Sequence, residues 1–317
     1  MFCDMKNIKT TISKRNSIWK TNSDIPSWVD INSVDLDQFF TKAEIAQYCY
    51  TKLLNYLTEQ GISVKDCLFV EPSAGAGSFF NLLPPKQRIG LDILPLNDEI
   101  IEQEFLSWVP PQTNKKIVVI GNPPFGYRAW LALLFMQKVS TFADYVGFIL
   151  PMAFQSEGKG SPKNRVKGLR TVSSEILPSN SFETPCGKEY KINALFQIWE
   201  KGQPEIIDKK IFEDQLEIFT LQHTKDRICG QNKIGNASFY LQRTFFNAPP
   251  KLVNDINIVR YGCAYGFIVK KNKDLIHNIL DKVDWIKYSN LAAHGCRHIS
   301  MYHIWRALLD SGFKTTS

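Results

Sequence analysis

The segment that most constrains this chain is Ile117 to Gly126, IVVIGNPPFG. Ile117 to Ile120 is a continuous apolar run, short enough to read as a buried strand. It is followed at once by Gly121, Asn122, Pro123 and Pro124. Two successive prolines offer no N–H to a ladder, so the strand must end there. Asn122 precedes a proline, which pushes its backbone toward extended geometry. The result is a stiff loop at the carboxyl end of a strand, holding one amide side chain, bare carbonyls and the ring of Phe125. In open α/β sheets that end is where ligands bind.

An amide oxygen and a neighbouring carbonyl are two acceptors fixed in space, suited to a planar –NH2 group. An aromatic amine is a poor nucleophile because its lone pair is conjugated into the ring. Acceptors that draw both hydrogens out of the ring plane favour a tetrahedral nitrogen, which is electrostatic preorganisation toward a transition state. Asn-Pro-Pro by itself is also ordinary turn punctuation, so the flanking segments decide.

Those segments alternate. Thr41 and Glu44 have the spacing of a capping box, and Ile45, Tyr48, Cys49, Leu53, Tyr56 and Leu57 then fall on one helical face. Cys67 to Val70 reads as a strand, Gln87 to Leu94 as a second, Glu102 to Trp108 as a third ending near Glu104, and Ile117 to Ile120 as the fourth. A helical stripe of Tyr127, Leu131, Leu134, Phe135, Val139 and Phe142 leads to a fifth strand from Tyr145. Two more strands, SSEILPSNSFE and NALFQIWEK, suggest a closing hairpin. Strand–helix alternation predicts a parallel sheet covered on both faces. Between the fifth and sixth strands, residues 155–170 are rich in Gly, Ser, Lys and Arg and read as a loop.

The pattern ends near Gly202. Residues 1–35 are polar and weakly patterned, an expected loosely ordered arm with Trp19 and Trp28; residues 36–202 form the α/β domain; residues 203–317 read as a small basic α+β domain. That last third holds 16 Lys and Arg against 11 Asp and Glu, so it carries +5 of the net charge of +7. A basic surface favours a polyanionic partner. No apolar run reaches the length of a membrane span, and the start has no secretory signal pattern. Seven scattered cysteines without a CxxC pair suit reduced thiols and a cytoplasmic setting.

A second constellation precedes the proline loop. Glu71-Pro72-Ser73-Ala74-Gly75-Ala76-Gly77 is a tight glycine turn opened by a carboxylate. It lacks the GxGxxG spacing and the GKS or GKT of phosphate cradles. A carboxylate there suits a cationic group rather than a pyrophosphate. Asp92 ends the next strand, where acidic residues accept from ribose hydroxyls, and Glu104 with Phe105 could meet an adenine's amine and face. The three acids point to an adenosyl group with a positively charged amino-acid tail. Singly, each is also an ordinary solvated strand cap.

Together these residues resemble the S-adenosylmethionine-dependent amino-methyltransferases, specifically the adenine-specific DNA methyltransferases with cofactor motifs first and the recognition region last. Asn122, Pro123, Pro124 and Phe125 match the catalytic motif; Glu71 to Gly77, with Pro72, Ser73 and Gly75, match the first motif; Phe39, Phe40 and Thr41 match the N-terminal cofactor motif; Asp92, with Ile93 beside it, matches the ribose acid. Glu104 ahead of Phe105 departs from that family's usual Asp-Phe. The resemblance spans about residues 36–202 and implies a Rossmann-like class I methyltransferase sheet of seven strands, mostly parallel with the last antiparallel. It implies S-adenosylmethionine as cofactor, no metal, a flipped adenine in duplex DNA as acceptor, a monomer, and a companion restriction endonuclease as the neighbour such enzymes serve. A late aromatic stacks on the flipped base in this family, and Phe182 is the candidate. Lys159, Lys163, Arg165, Lys167 and Arg170 in the basic loop, and Arg243, Arg260, Lys270 and Lys271 in the last third, are candidate phosphate contacts. His294, Cys296, His298 and His303 match no strong zinc spacing. Competing readings are methylation of adenine in RNA or of a protein glutamine amide, and a non-catalytic nucleic-acid-binding protein.

Overall fold

The computed structural model describes residues 5–34, 39–157, 160–184, 187–204, 207–224, 227–259, 263–292 and 295–313. The chain divides into two compact units, Met1–Phe154 with Gly160–Pro204, and Gln155–Lys159 with Glu205–Ser317.

The first unit is built on a seven-stranded sheet. Its strands are β1 (Cys67–Glu71), β2 (Arg88–Asp92), β3 (Ile101–Glu102), β4 (Lys116–Gly121), β5 (Tyr145–Pro151), β6 (Leu169–Ile176) and β7 (Ala194–Lys201). Their order is β3-β2-β1-β4-β5-β7-β6. The first five pair in parallel. Only β7 is opposed, running antiparallel to both β5 and β6. This is the expected mostly parallel sheet with one antiparallel strand.

Parallel strands are covered on both faces and need apolar residues at successive positions. β4 meets that demand: Val118, Val119 and Ile120 have no exposed surface. Helix α2 (Ala43–Glu59) lays Cys49, Leu53 and Leu57 against Phe69, Val118, Ile120, Ile149, Phe196 and Ile198. Helix α3 (Trp130–Val139) joins β4 to β5 and is buried on almost every side.

Several local expectations are corrected. Thr41 does not cap α2; Lys42 occupies the N-cap and no side chain caps the helix. Thr41 is held extended instead, in a two-residue strand opposite Phe182. The expected helical stripe starts three residues late, because Tyr127 lies in an exposed turn before Trp130. The third strand stops at Glu102, and Glu104 caps a short 3-10 turn, Phe105–Ser107. The basic loop contains one helical turn, Pro162–Arg165, and its end, Leu169 and Arg170, already belongs to β6. Within the first 35 residues, Met5–Trp19 forms helix α1, and Trp19 is buried.

The second unit has a five-stranded antiparallel sheet. With β8 (Leu216–Thr224), β9 (Arg227–Cys229), β10 (Phe239–Gln242), β11 (Leu252–Val253) and β12 (Cys263–Val269), the order is β9-β8-β12-β10-β11. Helices α4 (Lys273–Asp281) and α5 (Met301–Asp310) supply Ile276, Leu280, Ile304 and Leu308 to a core with Phe239, Phe267 and Trp285. Among the described residues no helix is long and apolar enough to cross a membrane.

Candidate active site

The carboxyl ends of β1, β2 and β4 open into one crevice with about 960 Å3 of empty space, part of it continuous with solvent. The turn after β1 shapes its floor. Gly75 has φ +50°, and a Cβ there would lie 3.3 Å from the Phe40 ring. Only a glycine takes both that conformation and that approach without strain. Asp92, at the end of β2, ties the turn down: Gly75 N donates to its Oδ2 at 2.7 Å and Leu94 N to its Oδ1 at 2.8 Å. Burial pushes the Asp92 carboxyl up from its ordinary range, and the backbone donors Leu94, Gly75 and Ile93 pull it back.

Glu71 is 2% exposed, and its Oε2 has no hydrogen-bond partner among the described residues. Desolvation drives its pKa well above the carboxylate range, the Phe80 N–H opposes this, and the nearby Asp92 charge adds to it. A buried carboxyl without a cation is the kind of group that a cationic ligand would ionise.

Glu104 is also buried, and both of its oxygens are engaged. Leu106 N donates to Oε1 at 3.0 Å and the Trp19 indole N–H to Oε2 at 3.2 Å. Burial raises its pKa, while these two donors and the Arg15 charge lower it.

The proline loop closes the crevice on the β4 side. Asn122 Nδ2 donates to the Phe39 carbonyl at 3.2 Å, whereas Oδ1 is buried with no partner among the described residues. Ser73 Oγ donates to the Asn122 carbonyl at 3.1 Å. A smaller cleft of about 280 Å3 lies beyond, lined by Phe39, Asn122, Pro123, Pro124, Phe125, Phe182 and Ile192. Phe39, Asn122 and Pro124 line both spaces.

The structure therefore brings together Phe39, Phe40, Thr41, Glu71, Pro72, Ser73, Gly75, Asp92, Ile93, Glu104, Phe105, Asn122 and Pro124 around the crevice. Pro123, Phe125 and Phe182 belong to the smaller cleft, though Phe182 is only 1% exposed. Gly77 lies in the turn, donating to Ala74 O, and does not line the crevice. Sequence reasoning missed Arg15 and Trp19 of α1, which line the crevice with the Arg15 guanidinium 4.3 Å over the Trp19 ring. It also missed Gln103, Leu131 and Phe135. No local motif marks these positions, because each reaches the site through tertiary packing.

The basic candidates scatter. Lys163 is half-buried and Arg165 exposed on their single turn, and Lys167 is exposed. Arg170 is instead committed to Glu200, its Nε donating to Oε1 at 2.7 Å. Arg243 is half-buried with its guanidinium 5.1 Å over the Tyr265 ring, and Lys270 donates to the Glu213 carbonyl at 2.8 Å. Lys159, Arg260 and His294 lie outside the described residues. His303 caps its own helix by exchanging hydrogen bonds with Ser300, Cys296 is buried, and His298 sits in a two-residue strand.

A scan against protein-family models finds no match, and a search of curated proteins finds none either. Among solved structures the chain is similar to a protein from Vibrio vulnificus YJ016 described as a modification subunit of a type I restriction enzyme, with 12% identity and TM-score 0.38 over 72% of this chain. The matched region spans 55% of that protein's length. It is also similar to a protein from Pyrococcus horikoshii described as an RNA methyltransferase, with 18% identity and TM-score 0.38 over 52% of this chain and 88% of the other. A third likeness is to magnesium protoporphyrin IX methyltransferase from Synechocystis PCC 6803, solved with bound S-adenosylmethionine, with 10% identity and TM-score 0.36 over 61% of this chain and 95% of the other.

Proposed function

We propose that the chain transfers a methyl group from S-adenosylmethionine to the exocyclic 6-amino group of an adenine rotated out of a specific duplex DNA sequence. The observation that carries this reading is the Asn122 amide. Its nitrogen is spent on the Phe39 carbonyl, which fixes the rotamer, and its oxygen is a buried acceptor with nothing to accept from among the described residues. A buried orphan acceptor costs free energy unless something supplies a donor. This one stands on the wall between a crevice ringed by acids and a small cleft ringed by aromatics.

The crevice fits the cofactor. The Glu71 oxygen without a partner among the described residues offers a place for an ammonium group, and Asp92 retains lone pairs for ribose hydroxyls. Phe40, Thr41, Pro72, Ser73, Ile93 and Phe105 complete walls in which a purine and its sugar can be desolvated. When bound, S-adenosylmethionine supplies an electrophilic methyl on a sulfonium.

The chain's own residues act on the acceptor. Asn122 Oδ1 and the Pro123 carbonyl take the two amine hydrogens and localise the nitrogen lone pair. The Asn122 carbonyl accepts from Ser73 Oγ; the part given to the Pro123 carbonyl is what the resemblance to the amino-methyltransferases implies. Phe125 gives the extruded base stacking surface, whereas Phe182, 1% exposed and packed in the core, offers it almost none. Extrusion costs a few kcal/mol, and an aromatic stack returns ~1–3 kcal/mol per base, so the two are of similar size. No side chain has to remove a proton before transfer, since the product ammonium is acidic.

Asn122→Ala is expected to cut single-turnover methyl transfer by at least ~100-fold while S-adenosylmethionine affinity, measured by calorimetry, stays close to that of the unaltered chain. Labelled methyl transfer to duplex DNA, structured RNA and protein extracts identifies the acceptor. Activity of the alanine variant above a few per cent, or labelling confined to protein, would count against the reading.

A further inference from the structure

Asn122 is held by a carbonyl that itself needs holding. Phe39 precedes a two-residue strand, Phe40–Thr41, that pairs antiparallel with Phe182–Glu183, which in turn pairs with Glu189–Tyr190. This small ribbon stands apart from the seven-stranded sheet. The Tyr190 ring stacks on the Phe39 ring with centroids 4.3 Å apart and planes 23° from parallel. Lys42 Nζ bonds Glu189 Oε1 at 3.0 Å, and Lys42 N donates to the Ser181 carbonyl at 3.1 Å. The ribbon thus fixes Phe39 from its ring side and from its carboxyl side. It carries Phe182 of the smaller cleft on its middle strand.

We propose that Tyr190 is a positioning residue for methyl transfer: by stacking on Phe39 it sets the carbonyl that binds Asn122 Nδ2, and so aims Asn122 Oδ1 at the acceptor amine. The inference rests on the reading of Asn122 given above. An amide can turn over and exchange its oxygen for its nitrogen. With the Phe39 carbonyl in place, the nitrogen has a partner and the oxygen faces the site. If that carbonyl moves, the two orientations approach equal energy. The wrong one presents N–H groups to an –NH2 that also needs acceptors. Tyr190 is 39% exposed, so it can be altered without opening the core. The stack uses the ring alone, so phenylalanine preserves the function and alanine does not.

The test compares Tyr190→Ala, Tyr190→Phe and Asn122→Ala in the full chain. The probes are S-adenosylmethionine and long mixed-sequence duplex DNA prepared without adenine methylation. For Tyr190→Ala the expected result is a fall in kcat on the order of ten- to a hundredfold, with KM for DNA and Kd for S-adenosylmethionine each within about twofold. Tyr190→Phe is expected to restore kcat to within about threefold of the unaltered chain. The inference is overturned if Tyr190→Ala keeps full kcat, if KM for DNA rises in place of a fall in kcat, if cofactor affinity is lost in step with turnover, or if phenylalanine fails to rescue. The control separates this failure from that of the functional reading. An active Asn122→Ala variant removes the reading itself, whereas an inactive one beside a fully active Tyr190→Ala removes only the role given to Tyr190.

Discussion

Glu71 and Asn122 each bring a buried oxygen to the crevice without a partner among the described residues, and they differ in what they can do about it. The amide cannot titrate and waits for a donor. The carboxyl can take up a proton, and burial pushes it that way. The consequence for pH has a definite sign. A carboxyl whose folded pKa is raised binds more protons folded than unfolded, so the unliganded protein loses stability as pH rises from the ordinary carboxylate value through the raised one. Asp92 and Glu104, both raised mainly by burial, contribute in the same direction. A cationic ligand reverses the preference at Glu71, because it favours the ionised form. Binding should therefore release protons and tighten as pH increases. Calorimetry of S-adenosylmethionine binding in buffers of different ionisation enthalpy is expected to show net proton release, and Glu71→Gln is expected to abolish most of it and weaken binding. Net proton uptake would overturn this account of Glu71.

Two elements frame the site, and neither could be read from local pattern. Helix α1 has no clear apolar stripe, and its key bond joins Trp19 to Glu104 across 85 positions of sequence. The ribbon of residues 40–41, 182–183 and 189–190 is made of two-residue strands, too short for alternation to register. Thr41 shows the consequence: a Thr three residues before a Glu has the spacing of a cap, and only its ladder partner, Phe182, reveals the strand. The proline loop and the glycine turn were legible because their geometry is local: a strand cannot pass Pro123-Pro124, and a tight turn needs Gly75. At this scale the test falls on α1. Trp19→Phe keeps a ring against Trp130, whose centroid is 5.5 Å away, but removes the donor from a buried carboxyl. Losing one partner of a buried hydrogen bond costs about 1–3 kcal/mol, which should appear as a lower urea midpoint at unchanged slope. An unchanged midpoint would mean that Glu104 does not depend on the indole.

For the chain as a whole, a nucleic-acid partner would be held electrostatically, so its binding would respond to salt. The parallel sheet was legible in the alternation of strands and helices, but the distribution of usable cations was not legible in their count. Of the net +7, +5 lies in residues 203–317, yet Lys270 is turned onto the Glu213 carbonyl. In the basic loop, Arg170 is turned onto Glu200. Arg165 and Lys167 are both exposed, on either side of buried Val166, so a phosphate backbone along that segment could meet both. Each phosphate neutralised steepens the fall of log affinity with log salt by ~0.9 for duplex DNA. Binding of mixed-sequence duplex is expected to weaken steeply between about 50 and 200 mM salt. Replacing Arg165 and Lys167 together by alanine should reduce the slope by ~1–2, and Arg170→Ala should leave it nearly unchanged because that guanidinium already has its anion. Affinity that ignores salt would remove duplex DNA as the partner. A slope that responds to Arg170 as strongly as to Arg165 and Lys167 would show that the Glu200 pair opens to receive a phosphate.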